Sequence, residues 1–237
     1  MKKLSIAFVT SVLLFACSEK KLENNLHLTG NIKGLKKGTL YVQRIQNDSL
    51  VALDTIGIDG NSTFETNIEL KSPEMLYLFL DRGVSNSLDN NLLFFAEPGE
   101  VNIETTLENY IADAKVSGSK NQDLYYEYKK VDRRFQEESL DLIEKKFKAM
   151  KSKNNLEIAN ISAKQESNIK RKYLYATNFA INNKDHEIAP YIALSEIYDI
   201  NIKFLDTIQK SMSPKVAQSL YGKKLTEYLA SLKKKQQ

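Results

Sequence analysis

The sequence predicts an α+β protein in two segregated parts, an N-terminal antiparallel β sandwich or barrel-like domain followed by a C-terminal helical domain. Three observations predict it. Apolar runs rich in Val, Ile, Leu, Phe and Tyr recur every 8 to 12 residues or so from Leu26 to about Val116, which is the rhythm of short strands between turns. After Ser117-Gly118-Ser119 no glycine appears until Gly222, and Lys, Glu, Leu and Ala take over. The charge changes sign at the same place: residues 18–120 hold 10 basic and 15 acidic side chains, residues 121–237 hold 22 and 15.

Eight strands are expected, over Leu26–Ile32, Thr39–Ile45, Leu50–Ile56, Thr63–Ile68, Met75–Leu80, Leu92–Phe95, Val101–Thr105 and Ala114–Ser117. Gly34 to Gly38, Asp59-Gly60 and Pro98-Gly99 supply the turns, with Asp59-Gly60 reading as a tight hairpin. Leu40 and Val42 alternate with Tyr41 and Gln43, so they should face the core. Met75 to Leu80 is nearly all apolar and should be covered on both faces.

In the helical half, Leu124, Tyr128, Val131, Phe135, Leu142 and Phe147 recur at helical spacing, as do Ile158, Ile161, Ile169, Tyr173, Ala176 and Ala180. Two antiparallel amphipathic helices follow, joined near Ser152 to Asn155. Further helices are expected over Ile188–Ile208 and Pro214–Lys233, the second with proline in its first turn.

The amino terminus carries an address. Lys2 and Lys3 precede an uncharged run from Leu4 to Ala16, the pattern of a secretory signal and too short for the roughly 20 residues of a membrane span. Leu14-Phe15-Ala16-Cys17 resembles the lipobox of bacterial lipoproteins, which implies lipid attachment at Cys17 and removal of residues 1–16. The alternative is a conventional secretory signal with a leftover thiol. Residues 17–25 then form a polar lipidated tether, residues 26–119 the β domain and residues 120–237 the helical domain. Two or three acyl chains, at about 0.8 kcal/mol per buried methylene, make the membrane a lasting partner.

The composition narrows the chemistry. One cysteine excludes a Cys-x-x-Cys pair and an intramolecular disulfide. His27 and His186 stand far apart in the sequence, no nucleophile elbow is present, and no clustered His and Cys point to zinc, so neither a catalytic set nor a metal is expected. No cofactor motif is present: Val116 to Lys120 only imitates a phosphate-binding loop and reads as a domain junction with a helix N-cap. The acid pairs Asp54 with Asp59 and Glu137 with Glu138 carry no sign of desolvation. The lysines alternate with acids and lack a stacking platform, so nucleic acid is not an expected partner. Tyr125, Tyr126 and Tyr128 could line a groove or pack on the β domain.

Several segments together resemble a known family: Leu28-Thr29-Gly30-Asn31-Ile32-Lys33-Gly34-Leu35, Gly38-Thr39-Leu40-Tyr41-Val42, Leu53-Asp54-Thr55-Ile56, Gly60 with Phe64, Phe94 through Ile103, and Val116-Ser117-Gly118-Ser119. They resemble the domain of unknown function 4369, an N-terminal β domain of lipid-anchored envelope proteins in Bacteroidota, commonly followed by a helical segment and a thioredoxin-like domain. Ala189 to Leu194 and Ser219 to Gly222 look like that helical segment. The chain stops at Gln237 without a thioredoxin-like domain, so the resemblance implies no thiol-disulfide activity for it, only a binding or positioning role. The resemblance also implies that Ser49, Thr55 and Thr207, each after Asp and before an aliphatic residue, match the acceptor motif for periplasmic O-glycosylation. Ser18-Glu19-Lys20-Lys21 after Cys17 carries one acid, which favours the periplasmic side of the outer membrane over export to the surface.

The expectation is therefore a lipid-anchored cell-envelope protein, not an enzyme, acting as a binding or scaffold module for an envelope protein. The alternative is a small ligand, such as a lipid, glycan or peptide, held in a cleft between the two domains.

Overall fold

The computed structural model describes residues 24–83 and 88–235. The expected signal, Cys17 and most of the tether lie outside the described residues.

All eight strands form, as β1 (Leu26–Lys33), β2 (Lys37–Gln46), β3 (Ser49–Asp59), β4 (Thr63–Ile68), β5 (Glu74–Asp81), β6 (Asn91–Ala96), β7 (Gly99–Thr106) and β8 (Lys115–Ser117). They make two four-stranded sheets, β4-β1-β7-β8 and β3-β2-β5-β6. The alternating residues of β1 and β4 explain the sandwich: Leu26, Leu28 and Ile32 point inward with Phe64 and Ile68, against Leu40, Val42, Leu76, Leu78, Leu80 and Phe94 of the other sheet. Burying each such side chain contributes about 1.5 to 3 kcal/mol.

The antiparallel expectation needs correction at one ladder. β1 and β7 run parallel, pairing Leu26 with Gly99 through Lys33 with Thr106, so the first sheet is mixed. Inward and outward alternation sets which face of a strand is buried but not the direction of its neighbour. The turn sets that: Pro98-Gly99 carries the chain from the second sheet back to the first, with Gly99 at φ +124° and its N–H donating to the Asn25 carbonyl at 2.8 Å.

Asp59-Gly60 also differs from expectation. β3 and β4 belong to different sheets, so this turn changes sheets; Gly60 has φ +84° and donates to the Lys36 carbonyl. The tight two-residue hairpin is Asn47-Asp48 instead, between the paired ends Gln46 and Ser49, with φ of +50° and +59°. Both residues tolerate the left-handed region that a primed turn demands. On β1, Gly30 lies opposite Phe64, whose ring occupies the space a side chain would fill: a Cβ at Gly30 would stand 2.5 Å from that ring and 2.3 Å from the Ile103 carbonyl.

The helices are α1 (Lys120–Lys151), α2 (Asn155–Asn182), α3 (Ile188–Ser195), α4 (Ile202–Ser211), α5 (Pro214–Ala217) and α6 (Leu220–Lys235). The α1/α2 hairpin forms as expected, with the Asn154 side chain accepting from the Glu157 N–H at 3.1 Å. The expected helix over Ile188–Ile208 is two: the chain breaks after α3, the Tyr228 hydroxyl binds the Tyr198 carbonyl, and Asn201 starts α4 by accepting from the Lys203 N–H. The expected helix from Pro214 also divides. Pro214 does open α5, but Gly222 packs on it so closely that a Cβ would stand 2.1 Å from the Val216 carbonyl, which requires a turn at Gln218 and Ser219.

Two further corrections concern exposure. Phe147 and Ile169 do not share the buried stripes of their helices; they are 67% and 53% exposed. Leu142 and Ala149 of α1 face Ile161 and Ile158 of α2 in a small cluster separate from the main helical core. No helix among the described residues is long and apolar enough to cross a membrane.

Candidate functional site

The junction between sandwich and helices is where a cleft site was expected, and it is largely closed. Met75 and Phe95, from the outer face of the second sheet, belong to the helical core with Leu124, Tyr128 and Ile192. The Glu97 carboxylate, just past β6, caps α1 by accepting from the backbone N–H of Lys120 at 3.0 Å and of Asn121 at 2.8 Å. A carboxylate there meets the positive end of the helix dipole. Buried Asn121 then donates to Glu97 and Glu187 and accepts from the Ile188 N–H at 2.7 Å, tying β6, α1 and α3 together. Gln122 accepts from the Phe95 N–H at 2.6 Å, and Ser119 caps the helix through the Gln122 N–H at 3.0 Å. The reading of Ser117 to Lys120 as junction and N-cap therefore holds. The far side is pinned by α6: Tyr221 accepts from the Met75 N–H at 2.9 Å and Ser72 from the Leu220 N–H at 3.1 Å.

A notch of about 260 Å³ opens at the junction, lined by Glu74, Tyr77, Tyr191, Tyr221 and Lys224 among others. Tyr191 and Tyr221 meet edge to face at 5.1 Å. Glu74 is buried and paired with Arg44 at 3.1 Å; desolvation raises its pKa despite the attraction of Arg44 and Lys224. Burial likewise pushes the Tyr191 and Tyr221 hydroxyls upward, away from ionisation at neutral pH.

A second polar cluster lies inside the helices. Asp132, fully buried, meets Lys129 at 3.0 Å, Lys172 at 3.3 Å and the Gln136 amide at 2.6 Å, and Glu196 completes it. Burial alone would lower the Lys129 pKa, but the Asp132 hydrogen bond and the Glu196 charge outweigh it and the pKa is raised. Two carboxylates face two ammonium groups, so the cluster binds α1, α2 and the end of α3 and is spent on that pairing.

Two open apolar grooves lie elsewhere, on the helical body. A groove of about 340 Å³ runs between α2 and α4, lined by Ile169, Tyr173, Leu174, Ile200 and Phe204 with Glu166 and Lys170 at its rim. A second groove of about 460 Å³, between α1 and α2, shares Ile169 and Tyr173 with it and continues to Phe135 and Leu140. Leu140 is 68% exposed. The Tyr173 hydroxyl donates to Asp199 at 2.8 Å, and burial with that bond pushes its pKa up to about 12.

The residues singled out in the sequence do not converge. His27 is on β1 beside Asn67 at 3.0 Å, and His186 is half-buried ahead of α3. Asp54 accepts from Thr66 across the two sheets, while Asp59 is exposed. Glu138 is held by Arg171 at 2.7 Å. Tyr125 and Tyr128 pack within the helical core and Tyr126 accepts from the Val116 N–H, so these tyrosines serve packing. Among the described residues no group of three or more His, Cys, Asp or Glu could hold a metal ion. Ser49 is exposed where β3 leaves the Asn47-Asp48 turn, Thr55 is exposed within β3, and Thr207 is exposed on α4 with its hydroxyl donating to the Lys203 carbonyl. The α2/α4 groove was missed because its residues come from two helices that were expected to be, respectively, buried on this side and unbroken.

A two-sheet β domain sealed onto a helical body defines an α+β protein with segregated parts. The family model described as Domain of unknown function (DUF4369) matches residues 26–125, a span that takes in the sandwich and the start of α1. Neither the curated proteins nor the solved structures contain a match to the chain.

Proposed function

We propose that the chain is a lipid-anchored cell-envelope protein, held through Cys17 at the outer membrane and facing the periplasm, that works as a non-catalytic binding or scaffold module for an envelope protein. The observation that carries the reading is the apolar groove between α2 and α4. Its shared residues with the α1/α2 groove make an elongated track, which suits an extended or helical segment with an apolar ridge better than a compact molecule. The closed junction supports the non-catalytic part, because its polar groups are spent on holding the two domains together. The resemblance to proteins that carry a thioredoxin-like domain favours a thioredoxin-like partner.

The test is affinity purification of the tagged chain from envelopes after brief crosslinking, comparing the wild type with Leu174→Glu and Phe204→Glu. A partner captured by the wild type and lost at least tenfold in both variants supports the reading; equal capture overturns it. A Cys17→Ala variant should leave the membrane fraction, and retention after carbonate washing would sink the anchor. The alternative is a small ligand in the junction notch, favoured by its tyrosines and Lys224. At about 260 Å³ the notch falls just below the roughly 300 to 1,000 Å³ of drug-sized sites, so it would take a small group. A co-purifying small molecule lost in Lys224→Glu would favour it.

A further inference from the structure

Leu140, Ile143, Phe147 and Met150 of α1 follow one another at intervals of three, four and three residues, which places them on one face as the a and d positions of a heptad. They are 68%, 40%, 67% and 54% exposed. The neighbouring face of the same helix is already occupied, since Leu142 and Ala149 pack on α2 and Lys146 bonds Gln165 at 3.1 Å. The stripe is therefore a second seam on a helix whose first seam is satisfied.

The charges around it identify what fits. Residues 137–144 contain Glu137, Glu138, Asp141 and Glu144 and no base; residues 145–153 contain Lys145, Lys146, Lys148, Lys151 and Lys153 and no acid. The sign changes at the midpoint of the apolar stripe. A surface whose charge inverts about its own centre is complementary to itself after a half-turn, which is the requirement of a two-fold interface. We propose that this face pairs with a second copy of the chain, α1 against α1, antiparallel about an axis near Lys145. Leu140 then lies opposite the second copy's Met150 and Ile143 opposite its Phe147, so that each a position meets a d position. The acidic block of each copy lies along the basic block of the other, and Glu137 comes near Lys151. A parallel pair would set acid against acid and base against base.

Eight apolar side chains make a small interface, below about 1,200 Å², so the pair exchanges rapidly and is strengthened where both copies share a surface. The pairing goes beyond the proposed partner track, which it meets at Leu140, and stands without it.

The experiment uses the full chain in detergent with single added cysteines and a short bis-maleimide, the wild-type chain giving the background from Cys17. Glu144→Cys lies beside the axis and should join to itself at least tenfold above that background. Glu137→Cys should not join to itself, because in the antiparallel pair its two copies stand about 24 Å apart along the helix at 1.5 Å per residue. It should join to Lys151→Cys when the two variants are mixed. Adding Phe147→Glu to Glu144→Cys should remove the product tenfold while leaving the melting transition in place, because Phe147 is 67% exposed in the folded chain. Leu140→Glu should do the same. Self-linking of Glu137→Cys equal to that of Glu144→Cys, no product above background, or a product that survives both glutamate variants would each overturn the proposal.

Discussion

The sandwich and the outer half of the α1/α2 hairpin are built on opposite terms. In the sandwich twenty buried apolar side chains form one cluster between two sheets, and Tyr110 reaches across to donate to the Leu78 carbonyl at 3.0 Å. In the outer hairpin the cluster is Leu142, Ala149 and Ile161 with Ile158 beside them, while larger residues such as Phe147 and Met150 face water. The sandwich buries most of its apolar side chains, leaving Ile45, Leu50 and Val51 exposed at the β2/β3 hairpin. The hairpin keeps its helices by local hydrogen bonds and ion pairs such as Lys145 with Asp141, and holds its apolar residues in reserve. Exposure on this scale marks a contact surface more readily than a defect of folding.

Four measurements can break or sharpen the contrast. The largest effect belongs to the sandwich: Phe94→Ala should cost about 3 to 5 kcal/mol in denaturant unfolding, because the cavity lies between two sheets that cannot close on it. A loss under about 1 kcal/mol would show a looser core than the packing implies. Next comes the joint. Asn121→Ala strands the Ile188 N–H and removes a donor from two carboxylates, and should cost about 3 kcal/mol. If the β and helical signals then unfold at separate midpoints, the joint is what couples them.

Ile161→Ala should act locally, costing about 2 kcal/mol and speeding hydrogen exchange of the outer hairpin while sandwich amides keep their protection. Uniform loss of protection would mean that the hairpin is not an independent unit. The smallest effect is a pH dependence. Burial raises the pKa of Glu74 above its ordinary value of 4.5, so the folded state holds the proton more tightly than the unfolded chain. Stability from this group is fully present below 4.5 and falls as pH rises from there through the raised value. In Glu74→Gln that fall should vanish, and parallel stability curves for wild type and variant would contradict the assignment.

The sequence carried the strands well because period-two patterns such as Leu26, Leu28, Gly30 and Ile32 have only one sheet-compatible reading. It did not carry strand direction, since nothing in Val101 or Ile103 records that β1 is a parallel neighbour. Apolar spacing also announced α1 and α2 but overstated their buried faces: a helix with two seams reads as one broad stripe, and Phe147 and Ile169 were assigned to the wrong side of it. The breaks at Tyr198 and Ser219 depend on partners far along the chain or on the close approach at Gly222, which no local pattern encodes. The junction was legible as a cap at Ser119, whereas the part played by Glu97 required knowing that β6 ends beside α1.

Because α1 is fixed to the sheet at its first turn and to α2 and α3 as far as Asp132, its outer part, from there to Lys151 and about 28 Å at 1.5 Å per residue, would act as a lever with its fulcrum at the buried ion pairs. A tilt of about 10° at the fulcrum would carry the far end through roughly 5 Å over that length. Strain in those ion pairs would thus be felt as displacement at the tip of the hairpin, and a load on the tip would be returned to them with the same mechanical advantage.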